Sequence, residues 1–474
     1  MKHTRGYFTL LVLVYSAVFL TLLSSLAGYI FIEKRLELAK ENKEKAFQLA
    51  EAGLEYYRWH LAHWPSDLKD GTGQPGPYVH TVPDPEGGTL GTFSLDISGG
   101  EVCGQVNSLV ISATGAAAAD PTYTRTLTAR YTKPTVAEFN TIVNSNVWVG
   151  ADRIITGPYH SNGGIRMDAT HNADVTSGVA SWLCTSSFGC TPNQNQNGVF
   201  GAGSQPELWR FPVPSVDFAG ISVDLSALKN YATTSGIYVP PSNGYGWRVT
   251  LRADGQMELR KVVGAIQVWS YSIEGGWQQE RTVMSSVQDE TTSIVLPTCP
   301  VIFVEDNVWL DGVVSGHVTL AAADVTGASI DRSVILSDNI TYAGGTNDGL
   351  TVIGEQDVLI GLQVPDVMTI NGVFIAQKGH FGRNHYCQSD CSTQSGNQGL
   401  PGTLDPYVTR STLNTNGTVV SNGRVGTKWM SGNTFISGFA LRNDTFDRDL
   451  AANPPPFTPA ISDDFRFIEW RDQR

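Results

Sequence analysis

Tyr7 to Ile32 runs without a single charge. As an α-helix it is roughly 39 Å long at 1.5 Å per residue, enough to cross a bilayer with some tilt. Lys2 and Arg5 precede it. Basic residues on that side hold the N-terminus in the cytoplasm, so the chain is expected to be a single-pass protein of the cytoplasmic membrane with everything beyond the helix exported. A secretory signal peptide has a shorter apolar region that ends at a small-residue cleavage site. Here the run passes without a break into a polar segment, Glu33 to about His63, rich in helix formers and free of Pro until Pro65.

Within that polar segment Leu36, Ala39, Ala46, Ala50, Gly53, Tyr57 and Leu61 recur at spacings of three, four or seven. They form a narrow stripe of mostly small side chains on one helix face. Small residues let another surface approach closely. That surface is either a sibling helix or the chain's own sheet, and the spacing does not choose between them.

The N-terminus, TRG–YFTLLVLVYSAVFLTLLSSLAGYIFIEKRLELAKENKEKAFQLAEAGLEYY, resembles that of type IV pilins. Ala46 to Tyr57 is similar to the PilX type of minor pilin, and so is the phrase GPYHSNG at Gly157 to Gly163. The resemblance implies a leader over residues 1–6, cut between Gly6 and Tyr7 by a prepilin peptidase, with methylation of the new Tyr7 amine. It implies a transmembrane helix over 7–32 that moves from membrane lipid into a filament core, with Thr9, Leu11, Ala46, Ala50, Gly53 and Tyr57 on the assembly helix. Its expected partners are other pilin subunits and the pilus assembly machinery. Ordinary pilins carry Glu five residues after the cut, where it neutralises a neighbour's N-terminal amine. Leu11 stands there in this chain. A buried amine without a charge partner is costly, so the resemblance implies a minor or tip subunit rather than a shaft subunit.

The rest reads as β-structure. Charged residues are 16% of the chain and glycine numbers 49, a mix that suits short strands and turns in an exported protein. Thr89 to Ile97, Asn107 to Gly115 and Thr122 to Thr132 alternate as strands, so residues 33–133 are expected to form a pilin-like α+β roll. In the last of these, Arg125 is expected at the sheet's end with its head in solvent. From residue 134 to 474, short aliphatic runs broken by Gly, Asn or Asp recur about every 15–25 residues, on the order of one solenoid rung. They predict a β-solenoid head, with a β-sandwich as the alternative. An insertion is expected at about 205–295, with a hairpin turning at Asp254-Gly255. Phe465 to Trp470 is expected to close the head.

Six cysteines in an exported chain suggest disulfides. Cys184 with Cys190 and Cys387 with Cys391 would close small loops, leaving Cys103 with Cys299; buried free thiols are the other reading. His380, His385, Cys387 and Cys391 have zinc-ligand types, but an exported Cys-x3-Cys is more simply a disulfide, so no metal or cofactor is expected. The net charge of −13 argues against nucleic acid as a partner. Acidic residues such as Glu305, Asp306 and Asp311, or Asp331 beside Arg332, have no distinctive spacing, and no catalytic motif is present. The chain is therefore expected not to be an enzyme. Trp182, Trp247, Trp269, Trp277 and Trp309 are candidates for binding a surface glycan. Two functions fit the sequence. One is a pilus-like subunit acting in assembly and surface adhesion, its head extracellular in the filament. The other is a membrane-anchored β-helix protein that binds or degrades polysaccharide.

Overall fold

The uncharged run and the polar segment form one continuous α-helix, Arg5–His63. The computed structural model describes residues 5–64, 67–103, 105–221, 224–326, 331–345, 348–393, 396–462 and 465–473. Most of the expected leader, residues 1–4, lies outside them. The chain divides into two compact units. One comprises residues 1–99, 108–132 and 464–474, the other 100–107 and 133–463.

In the first unit the helix lies on a five-stranded antiparallel sheet. Its order is Tyr78–Pro83, Thr89–Val102, Gln105–Ala117, Thr124–Thr132 and Arg466–Gln473. In Thr124–Thr132 the alternation predicted from the sequence is present: Leu127, Ala129 and Tyr131 are buried. Arg125 departs from expectation, because it is part-buried and ion-paired to Asp472. The C-terminal strand likewise completes this sheet instead of closing the head. Trp470 packs edge-on against Phe47 at 5.8 Å.

The second unit is a three-faced solenoid of parallel strands, not a sandwich. Its first face stacks Ile237–Val239, Val301–Val304, His317–Ala322, Gly349–Gly354, the end of Val367–Ala376, the end of Thr409–Ser421, then Thr141–Val143, Tyr159–Ser161, Val175–Ser177 and Trp209–Arg210. Spatial order is thus not chain order. The chain enters mid-stack at residue 141 and builds rungs toward one end. It returns to the far end through residues 211–236 and builds rungs back until 419–421 meets 141–143. The second face stacks Gly246–Leu251, Val308–Val314, Val334–Tyr342, Val358–Ile360 and Phe381–Gly382. The third carries the ends of Val308–Val314 and Val334–Tyr342, the first halves of Val367–Ala376 and Thr409–Ser421, then Thr434–Thr445, Arg153–Ile155 and Thr170–His171.

Inward-facing residues such as Ile302, Leu320, Val352 and Phe374 form the core. On the first face many outward residues are apolar as well. Phe303, Ala321, Ile353 and Val420 pack under Ile221, Leu228 and Ala232 of the return segment and under Leu450. The expected insertion is smaller than its predicted bounds. Ile237–Val239 and Gly246–Leu251 are rungs, and the excursion is the antiparallel set Gln256–Ser272, Gly276–Val287 and Thr292–Val295. It packs on the second face, where Val262 covers Trp309 and Ile335. The predicted hairpin at Asp254-Gly255 joins Gly246–Leu251 to Gln256–Ser272, with Gly255 at φ +75°.

The structure pairs Cys103 with Cys299, Cys184 with Cys190 and Cys387 with Cys391. All three bonds lie in the second unit.

Candidate functional site

The N-terminal helix changes character along its length. From Tyr7 to Ile32 the large apolar side chains are exposed, with Tyr7 at 75% and Leu11 at 43%. A helix apolar all round and uncovered is at home in lipid or among other helices, not in water. By length and composition it can cross a membrane. Gly6 and Tyr7 fall in its first turn and Thr9 in its second. The first charge before Leu11 in the sequence is Arg5 and the first after it is Glu33.

From residue 46 one face of the same helix is buried. Ala46, Leu49, Ala50, Leu54, Tyr57 and Leu61 are at most 5% exposed, against the first unit's own sheet. The lower stripe thus faces the sheet and not a sibling helix. Leu36, at 66% exposure, stays outside it. The contact is closest at three glycines. A Cβ on Gly115 would lie 2.0 Å from the Ala46 carbonyl oxygen and 2.6 Å from the Ala50 nitrogen. On Gly53 it would meet the Phe93 ring at 2.9 Å, and on Gly91 the Leu49 side chain at 2.5 Å. Sequence reading found Gly53 but missed Gly91 and Gly115. A glycine inside a strand pattern marks a close backbone approach, so the signal was there.

Beyond its close-packed turns the helix ends on an aromatic and histidine cluster. Tyr57 stacks on His60 at 5.6 Å, and His60 Nε2 donates to the Asp67 carbonyl oxygen, 3.2 Å away. His80 bonds to Asp70 at 2.6 Å. Burial first, then the charges of Asp67 and Asp70, push the Tyr57 phenol well above its usual range. This end is tied down, while the apolar end has no cover.

The candidate carboxylates are bonded to side chains and backbone of the fold. Glu305 bonds Lys229 and Tyr238. Asp306 accepts from the Ser242 nitrogen at 2.9 Å and pairs with Arg332 at 3.3 Å. Asp311 pairs with Arg248 at 2.9 Å and Asp331 with Lys378 at 2.7 Å. Each carboxylate thus already has a partner from another rung or corner. Among the described residues no group of three or more His, Cys, Asp or Glu is placed to hold a metal. Trp182 and Trp309 are buried, whereas Trp247, Trp269 and Trp277 are half-buried.

No family model matches the chain, and no curated protein sequence does. Among solved structures, the crystal structure of the competence-associated pilin ComZ from Thermus thermophilus aligns over 91% of this chain and 98% of its own, at 12% identity and a TM-score of 0.30. A likeness that distant is not evidence of shared function.

Proposed function

We propose that this chain is a minor subunit, of PilX type, of a type IV pilus-like filament, sited at or near the tip and acting in assembly and adhesion without enzymatic activity. One observation carries the reading. A single unbroken helix is exposed and apolar from Tyr7 to Ile32 and locked into its own sheet by its last turns. Such a helix can exchange lipid for neighbouring helices while its domain stays folded. In membranes it has no partner to displace but lipid tails, so packing decides whether it joins other helices. Leu11 in place of Glu supports the tip position, since a subunit with no neighbour beyond it has no amine to neutralise. On this reading prepilin peptidase cuts after Gly6 and the Tyr7 amine is methylated, the helix starts in the inner membrane with a cytoplasmic N-terminus, and the head is extracellular after assembly.

The test is mass spectrometry of the mature N-terminus, with and without a co-expressed prepilin peptidase. The expected product begins at methylated Tyr7. An intact Met1 in the presence of active peptidase would sink the proposal and leave an anchored solenoid.

A further inference from the structure

Two faces of the solenoid are covered by the chain itself, through apolar outward residues with polar ones such as Thr319, Arg248 and Asp311 between them. The first lies under the return segment and the second under the antiparallel excursion. The third face has a different outward composition. Thr369, Asn414 and Asn443 stand in register on three successive strands, and so do Asn371, Asn416 and Thr445. Asn339 and Thr341 continue the two columns onto a fourth strand, flanking Ile340, which pairs with Ile370. All eight positions are Asn or Thr, half-buried or exposed.

The columns are organised internally. The Asn443 amide donates to the Asn414 carbonyl oxygen at 2.9 Å, and the Thr445 hydroxyl donates to Asn416 at 2.9 Å. Asn339 accepts from the Thr369 nitrogen at 2.7 Å. Such bonds fix the rotamers, which lowers the entropy a ligand must otherwise remove. Parallel strands space the rows about 4.8 Å apart, and alternate residues along a strand are about 6.6 Å apart. The result is a grid of amide and hydroxyl donors and acceptors, with Asp338 and Asp447 accepting from Asn339 and Asn416 beside it. Val367 and Leu441, both more than half exposed, line one margin.

The chemistry of the grid selects its partner. Charged ligands are held by charged groups, and the eight grid positions carry none in a chain of net charge −13. The buried centre of a protein partner's interface would want aromatic or apolar anchors, and the grid offers amides and hydroxyls. A neutral polysaccharide presents hydroxyl edges to bond the amides and C–H faces to rest on the aliphatic margin. Its sugar rings repeat at a spacing close to that of the rungs. We infer that the third face binds an extended, uncharged polysaccharide laid along the solenoid axis. This inference concerns the head alone and stands whether or not the chain enters a filament.

The test uses the full chain in detergent micelles, incubated with insoluble cellulose and chitin as neutral glycans and with polygalacturonate and alginate as acidic ones. Retention on a neutral glycan that persists in high salt is expected. Asn371→Lys should lower that retention about tenfold, equivalent to about 1.4 kcal/mol. Val295→Lys, at a 72% exposed residue outside this face, should leave it unchanged. Thr341→Lys is the second variant, used should Asn371→Lys fail to fold as judged by circular dichroism. No retention on either neutral glycan overturns the inference. So does retention indifferent to folded grid variants, and so does retention confined to acidic glycans and abolished by salt.

Discussion

Gly115→Ala tests how closely the helix sits on its sheet. In most strands this substitution is benign or helpful, because it removes backbone freedom from the unfolded chain and stabilises by about 0.4–1 kcal/mol. Gly115 has no positive φ to forbid a side chain, so only space opposes the new methyl. The Cβ would sit 2.0 Å from the Ala46 oxygen, where ordinary contact begins at 3.4 Å. The shortfall must come from the helix or the strand moving as a body, since the obstacle is backbone. It exceeds the gap of about 0.5–1 Å that already forfeits a quarter to a half of each dispersion contact. The layer that would open contains Ala46, Leu49 and Ala50, all at most 5% exposed. Overpacking of this kind costs about 1–3 kcal/mol, and backbone against backbone places it at the top, about 3 kcal/mol. Hydrogen exchange of the full chain in micelles, read by mass spectrometry on peptides covering residues 46–57 and 108–117, measures it locally. About a hundredfold faster exchange in those peptides, with the head unchanged, is expected. Equal or slower exchange would mean that the helix does not lie this close to the sheet.

Three further outcomes are expected. Asp444→Ala should destabilise the head by about 3–5 kcal/mol in denaturant titrations, because it strands Arg153, paired at 2.6 Å with both side chains at most 8% exposed, at the seam where 153–155 stacks on 434–445. Cys299→Ser should cost about 5 kcal/mol and Cys190→Ser about 2 kcal/mol, from loop closure over separations of 196 and 6 residues, as read from unfolding midpoints under non-reducing conditions. The head should lose stability as pH falls below about 6.5. Burial lowers His160, His171 and His317 and pushes His385 down to about 4, so the unfolded chain binds more protons in that window. His380 opposes this. Burial lowers it, but Asp357 at 3.1 Å and Glu274 raise it further, so its contribution is present below about 6.5 and lost as pH rises through its folded value. In a thermal melt series, His385→Gln should flatten the acid loss and His380→Gln should steepen it.

Much of the first unit was legible because its signals are local. The uncharged run from Tyr7 to Ile32, a stripe of small residues at helical spacing and the strand Thr124–Thr132 each carry their period in adjacent positions. The partner of the stripe was not legible, because small residues suit a helix and a sheet equally. Gly115 decided it by admitting the helix backbone. Of the candidate carboxylates, nothing in their spacing told a catalytic pair from a corner tether. Lys229 beside Glu305 and Arg248 beside Asp311 come from residues 76 and 63 positions away. The Asn/Thr grid stayed hidden for the same reason, since its columns run across strands from four separate stretches of chain.

The sequence by itself determined the long helix, its two characters and the β-rich remainder, because helix formation and strand alternation depend on residues within a few positions of one another. The tertiary structure alone decided that residues 141–143 stack on 419–421, that the solenoid is built outward from its middle and then from its far end, and that the C-terminal strand belongs to the first sheet. Parallel rungs pair through backbone groups common to all residues, and any aliphatic rung can lie on any other of matching width. Which one does is set by the buried Arg153–Asp444 pair, by the apolar cover over the first face and by the closure of the whole stack, all of which join residues far apart in the chain.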